Sequence, residues 1–239
     1  MTYRSFAEPV VAGLSEARRR AAGLCIAAYA VLSIVDIVGE ARAIPLLIFA
    51  VPVFLMPLLA AFTLLTMRRS QVRSLLLVAL IFAWLGDCLG FSVLLKIAFF
   101  VGTQIAYCVA FWPLRHRSLL ARRAPLVIYV VVMSAVVIFV ATRAQTLVVP
   151  VIIYGVLLSL MVALASGVNR LAAVGAVLFL ISDLILGYES FLSTADSPLL
   201  GALVMATYLP AQLLIVLGVV RNAAIEQPPA GRAPAAAEG

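Results

Sequence analysis

Two aspartates, Asp87 and Asp183, stand inside apolar stretches, Trp84-Leu85-Gly86-Asp87 and Phe179-Leu180-Ile181-Ser182-Asp183. A carboxyl group in hydrocarbon is expensive, so it marks a site by default. Neither apolar run contains a Lys or Arg to pair with it; the nearest candidate, Lys96, falls near a membrane surface. Three of the other apolar runs carry two amides and three phenols, at Gln104, Tyr107, Tyr154, Tyr208 and Gln212. Carboxyls with phenols and amides to place water form an acid–base apparatus. A carboxyl in apolar surroundings favours its neutral form, and two neighbouring carboxyls resist double ionisation, so a pair can hold one proton between them. Such a pair can donate a proton and stabilise the cation that results. It can equally pass protons in coupled transport, and polar side chains of this kind also tie membrane helices together. A third carboxyl, Asp36, falls near the outer end of the first apolar run.

Other chemistries lack their residues. The single histidine, His116, lies in a basic loop with Arg115 and Arg117. Cys25, Cys88 and Cys108 all fall in apolar runs, where an odd number of cysteines reads as small packing residues and not as a disulfide framework. There is no His/Cys cluster suited to a metal, no phosphate-binding glycine loop and no Gly-x-Ser-x-Gly elbow. No cofactor is expected, and any acid–base work falls to carboxyls.

The elements that must position these groups follow from hydropathy. Of the 239 residues 65% are hydrophobic and 11% charged, far from the composition of a soluble globule. Apolar runs about 20 residues long predict membrane-spanning helices. Eight emerge, over 21–38, 44–66, 75–94, 97–113, 124–141, 147–167, 171–190 and 199–220. The expected fold is all-α and polytopic. A basic segment over 1–20 precedes the eight-helix domain of 21–220, and a Pro/Ala-rich tail over 221–239 is predicted to be disordered. The net charge of +7 does not indicate nucleic acid, because the basic residues sit in short loops. All of the 17 Lys and Arg except Arg42, Lys96 and Arg143 fall on one side of the eight-span arrangement. Basic loops stay in the cytoplasm, which predicts that both termini are cytoplasmic in a multi-pass protein of the cell (inner) membrane. Arg18-Arg19-Arg20 before an apolar run, and Ala41-Arg42-Ala43 after it, resemble a signal peptide, but Asp36 interrupts the run and a retained helix is expected. On this arrangement Asp87 and Asp183 lie about 18 Å from the cytoplasmic ends of the third and seventh spans, in one layer with the phenols and amides. A faint repeat accompanies them: Gly86-Asp87 and Ser182-Asp183 are 96 residues apart, and the fourth and eighth spans each carry a Tyr and a Gln.

At these residues the chain resembles the bacterial YhhN proteins and their eukaryotic relatives, the TMEM86 lysoplasmalogenases. The resemblance rests on Met56-Pro57-Leu58-Leu59-Ala60, Leu85-Gly86-Asp87, Phe100-x3-Gln104-x2-Tyr107, Tyr154 with Met161, Gly175-Ala176-x2-Phe179-x2-Ser182-Asp183 and Tyr208-x3-Gln212. It runs from the second span to the eighth. The chain departs from the family in carrying Gln104 where a histidine is usual, and Val51-Pro52 where Lys-Pro is usual. The resemblance implies hydrolysis of the vinyl-ether bond of a lysophospholipid, releasing a fatty aldehyde and glycerophosphoethanolamine or glycerophosphocholine. Protonation of the outer alkene carbon gives an oxocarbenium ion that water captures. Asp87 and Asp183 would share the proton as a coupled pair. Tyr107, Tyr208 and Gln212 would position water and substrate, and the phosphate would rest near Lys96, Arg42 or Arg143. A proton- or ion-coupled transporter and a non-catalytic lipid-binding protein are the alternative readings.

Overall fold

The computed structural model describes residues 14–193 and 197–226. Among the described residues every regular element is helical. Eight helices are long and apolar enough to cross a membrane. They are α1 (Glu16–Ala41), α2 (Pro45–Ala50 continuing as Pro52–Thr66), α3 (Gln71–Leu89), α4 (Val93–Phe111), α5 (Arg123–Ala141), α6 (Val148–Ala165), α7 (Arg170–Phe191) and α8 (Pro198–Glu226). The chain is a multi-pass membrane protein.

Capping residues set where the helices begin. The Ser70 hydroxyl accepts from the Arg73 amide at 3.2 Å and the Ser92 hydroxyl from the Leu95 amide at 3.2 Å. Each supplies an acceptor to the free N–H groups of a first turn. As a result α3 and α4 start about four residues earlier than hydropathy predicts; α3 also ends earlier, at Leu89, so Asp87 lies in its last turn. Asn169 caps α7 by accepting from the amides of Leu171 and Ala172, at 3.1 and 3.0 Å. The expected outer segments also change. Residues 16–20 belong to α1, and α8 continues through Glu226, so helix replaces the start of the expected tail. The remaining tail, 227–239, lies outside the described residues, as do residues 1–13 of the basic segment.

Proline breaks α2 at Val51 and enters it again at Pro57. Pro57 has no N–H to give the carbonyl four residues earlier, which is that of Val53. The Trp84 indole of α3 donates to that carbonyl at 3.0 Å. A neighbouring helix thus satisfies the group that proline frees.

Packing closes α1, α2, α3, α4, α6, α7 and α8 into a ring, each against the next, with α8 returning to α1. The closest pair is α7 with α8, where small residues allow the backbones to meet. A Cβ at Gly175 would lie 2.8 Å from the Ala211 carbonyl oxygen, and one at Gly218 would lie 2.7 Å from the Ala172 nitrogen. Helix α5 stands outside the ring, packed on α6 and the edge of α7; only Met133 and Ala141 of it are buried. The faint repeat is therefore not kept as a symmetry, since α1 lies in the ring and its counterpart α5 does not.

Candidate functional site

Five helices deliver polar side chains to the bundle, and these sort into two hydrogen-bonded chains. In the first, Tyr208 and Gln212 of α8 are one turn apart and share a face. The Tyr107 hydroxyl of α4 donates to Gln212 Oε1 at 2.6 Å, Gln212 Nε2 donates to the Tyr208 hydroxyl at 3.2 Å, and Tyr208 donates to Asp87 Oδ2 of α3 at 2.9 Å. Tyr107 and Gln212 are fully buried. They hold Tyr208, and through it Asp87, in place by hydrogen bonds.

In the second chain Gln104 Nε2 of α4 donates to the Tyr154 hydroxyl of α6 at 3.5 Å, and Tyr154 donates to Asp183 Oδ2 of α7. Gln104 is fully buried and its Oε1 has no partner. Asp183 and Tyr154 line a cavity of about 240 Å³ together with Lys96, Phe100 and Ser190. Its mouth is the α3–α4 turn, Gly90–Val93, and the last turn of α7. Lys96 packs against Gly90, where a Cβ would lie 2.3 Å from the Gly86 carbonyl oxygen and 3.1 Å from the Cβ and Cε of Lys96. The apolar stem of Lys96 can then lie along the end of α3 with its ammonium toward the rim.

The two chains do not meet as a carboxyl pair. Each aspartate takes its hydrogen bond from its own tyrosine, and Asp183 is not among the electrostatic neighbours of Asp87. Phe100 packs edge-on against both Tyr208 and Phe179, with ring centroids 5.8 and 6.1 Å apart, and forms the cavity wall in front of Tyr208. The helices that carry the two carboxyls sit across the ring from one another, with Asp87 in the last turn of α3 and Asp183 eight residues before the end of α7. What they share is a cation. Lys96 acts electrostatically on Asp87, Asp183 and Glu40, without a direct hydrogen bond to either aspartate. Lys96, the nearest basic residue in the sequence reading, lines the same cavity as Asp183.

The carboxyl near Asp87 is Asp36 of α1, which interacts with it electrostatically. Asp36 is fully buried and neither of its oxygens has a partner. Sequence reasoning located Asp36 but assigned it no role. Its signal was an acidic residue in an apolar run, the same signal that selected the other two. Phe100, also without an assigned role, was visible only within the pattern Phe100-x3-Gln104-x2-Tyr107 that carries the family resemblance.

No metal-ligating cluster of three or more His, Cys, Asp or Glu occurs among the described residues. The sequence profile of the YhhN family matches residues 47–219. A stretch of 76 residues is 38% identical to the protein named lysoplasmalogenase TMEM86B of Rattus norvegicus, covering 32% of this chain and 32% of that one. The matched stretch is thus about a third of that relative's length. No solved structure matches the chain.

Proposed function

The chain belongs to the YhhN family, and from that premise we propose that it is a membrane-embedded hydrolase that cleaves the vinyl-ether bond of lysoplasmalogens. The observation that carries this reading is the cavity in which a half-buried carboxyl, Asp183, faces open space while a lysine stands at the mouth. An amphiphile with an anionic phosphate and an acid-labile bond a few ångströms below it fits that order of groups. The rat relative's name supports the choice of bond.

In this mechanism Asp183 acts as the acid. It gives its proton to the outer alkene carbon, and the electron pair of the double bond forms the new C–H bond. The adjacent carbon becomes an oxocarbenium ion, and the Asp183 carboxylate beside it stabilises the charge. Tyr154, donating to Asp183 Oδ2, strengthens as that negative charge develops. Water adds to the cationic carbon and returns a proton to Asp183. The hemiacetal then collapses: its hydroxyl proton leaves, the glycerol oxygen departs with the electron pair and takes a proton, and the aldehyde is released. Lys96 holds the phosphate, and Asp87, fixed by Tyr208, balances the lysine when the site is empty. With both termini in the cytoplasm, the cavity mouth faces the outer side of the membrane.

Purified protein in vesicles should release aldehyde from lysoplasmalogen. Asp183→Asn should lower turnover at least about a hundredfold while the protein still inserts and folds. Native-rate hydrolysis by that variant, or proton flux by the wild type without any hydrolysis, would refute the proposal.

A further inference from the structure

The cavity at Asp183 does not end there. It shares Val140, Val151, Tyr154 and Asp183 with a narrower passage of about 60 Å³ running between α5, α6 and α7. That passage in turn shares Met133 and Val137 with a groove of about 360 Å³ between α5 and α6. The three voids share walls in succession and line one route along α5, and their volumes together fall in the range of small-molecule sites, about 300–1,000 Å³. Its polarity changes along the way. Lys96 and Asp183 stand at one end, and Leu120, Leu126, Val130 and Leu160 at the other. The polar groups within the groove are largely spent on backbone. The Tyr129 hydroxyl donates to the Ser159 carbonyl at 2.7 Å, and the Ser159 hydroxyl to the Gly155 carbonyl at 2.6 Å. Apart from the Ser134 hydroxyl, an occupant of the groove finds mostly hydrocarbon.

We propose that this path binds the single hydrocarbon chain of a lysophospholipid, with the chain passing from Asp183 between α5 and α6 and its end near Leu126. The proposal rests on the hydrolase reading for its substrate, and the dimensions support it. From Val140 to Leu126 is about 21 Å along α5. A bilayer core about 30 Å thick holds two layers of chains, so one chain spans about 15 Å. The position of α5 outside the ring gives the route of entry: Val130, Ile138, Ile152 and Val156 along the groove are all exposed, so a chain can slide in sideways from the membrane. Gly155 sets the width of the passage. A Cβ there would lie 2.7 Å from Cγ2 of Val137, which would push Val137 into the path.

Two measurements separate the chain site from the chemistry. The first uses a lysophosphatidylethanolamine with a photoreactive diazirine at the end of its chain, in vesicles of wild-type protein. Labelling should concentrate on residues 126–134 and 156–163, and Ser134→Phe, an exposed position inside the groove, should lower it at least about fivefold. The second compares hydrolysis of long- and short-chain lysoplasmalogens. Ser134→Phe and Val137→Phe should each lower the ratio of long- to short-chain turnover at least about tenfold, as expected when several methylenes lose their site. Labelling spread over all lipid-facing helices, or unchanged by Ser134→Phe, would overturn the chain site. Focused labelling in a protein that releases no aldehyde would uphold the chain site and defeat the hydrolase reading alone.

Discussion

Replacing Tyr154 by Phe removes one oxygen that serves two neighbours. Its hydroxyl donates to Asp183 Oδ2 and accepts from Gln104 Nε2 at 3.5 Å. In the proposed reaction Asp183 passes from acid to carboxylate on the way to the transition state. A hydrogen bond to a charged group contributes about 1.5–3 kcal/mol. Because this bond gains strength only as the carboxylate forms, its loss falls on turnover and not on substrate binding. At 1.4 kcal/mol per factor of ten, Tyr154→Phe should lower kcat roughly ten- to a hundredfold, with KM little changed. The fold pays separately. The Gln104 Oε1 already lacks a partner, and the substitution strands Nε2 as well. A buried unsatisfied group costs about 1–3 kcal/mol, so the thermal midpoint should fall. Adding Gln104→Leu to Tyr154→Phe removes both stranded atoms and should restore much of the midpoint without restoring kcat. Tyr208→Phe is the comparison, because Tyr208 lies behind Phe100 and serves Asp87; it should lower kcat less than Tyr154→Phe does. Aldehyde release under saturating substrate, with unfolding followed in detergent, reads both effects. A kcat for Tyr154→Phe within about twofold of wild type would refute the assignment of Asp183 as the acid.

Asp36→Leu should raise the thermal midpoint, since it removes a fully buried carboxyl whose oxygens have no partner; a lower midpoint would mean that the carboxyl makes a favourable interaction in the membrane. A cysteine at Ala43 should react with an impermeant thiol reagent from outside the cell and one at Ser70 should not; the reverse would invert the orientation expected from the basic loops. Protonation by a fixed acid delivers the hydrogen to one face of the alkene. In heavy water the aldehyde, trapped at once by reduction, should therefore carry one deuterium beside the former carbonyl carbon, in a single configuration. In water labelled with heavy oxygen the glycerophospho product should contain no label, and label there would mean cleavage on the other side of the ether oxygen.

Hydropathy is a local property, and lipid forces every backbone polar group in a span to be satisfied within it, so the eight helices were legible along the chain. The same economy exposed Asp36, Asp87 and Asp183, because a carboxyl in an apolar run has few reasons to be there. Family membership was legible for a related reason: the matching residues fall in order on successive spans. Helix boundaries were less legible. Hydropathy does not register Ser70 and Ser92, whose side chains begin α3 and α4, or the end of α3 at Leu89, which leaves Asp87 in a last turn. Sequence also fixes the depth of a residue in a helix but not the direction it faces around the bundle. Asp87 and Asp183 are expected at one depth, yet each has a different tyrosine, from 121 and 29 residues away in the chain. Which helices adjoin was decided by side-chain packing between distant segments, such as Gly175 against Ala211. That packing set α5 outside the ring, put Phe100 in front of Tyr208 and left the groove beside α6 open, none of which any single span encodes.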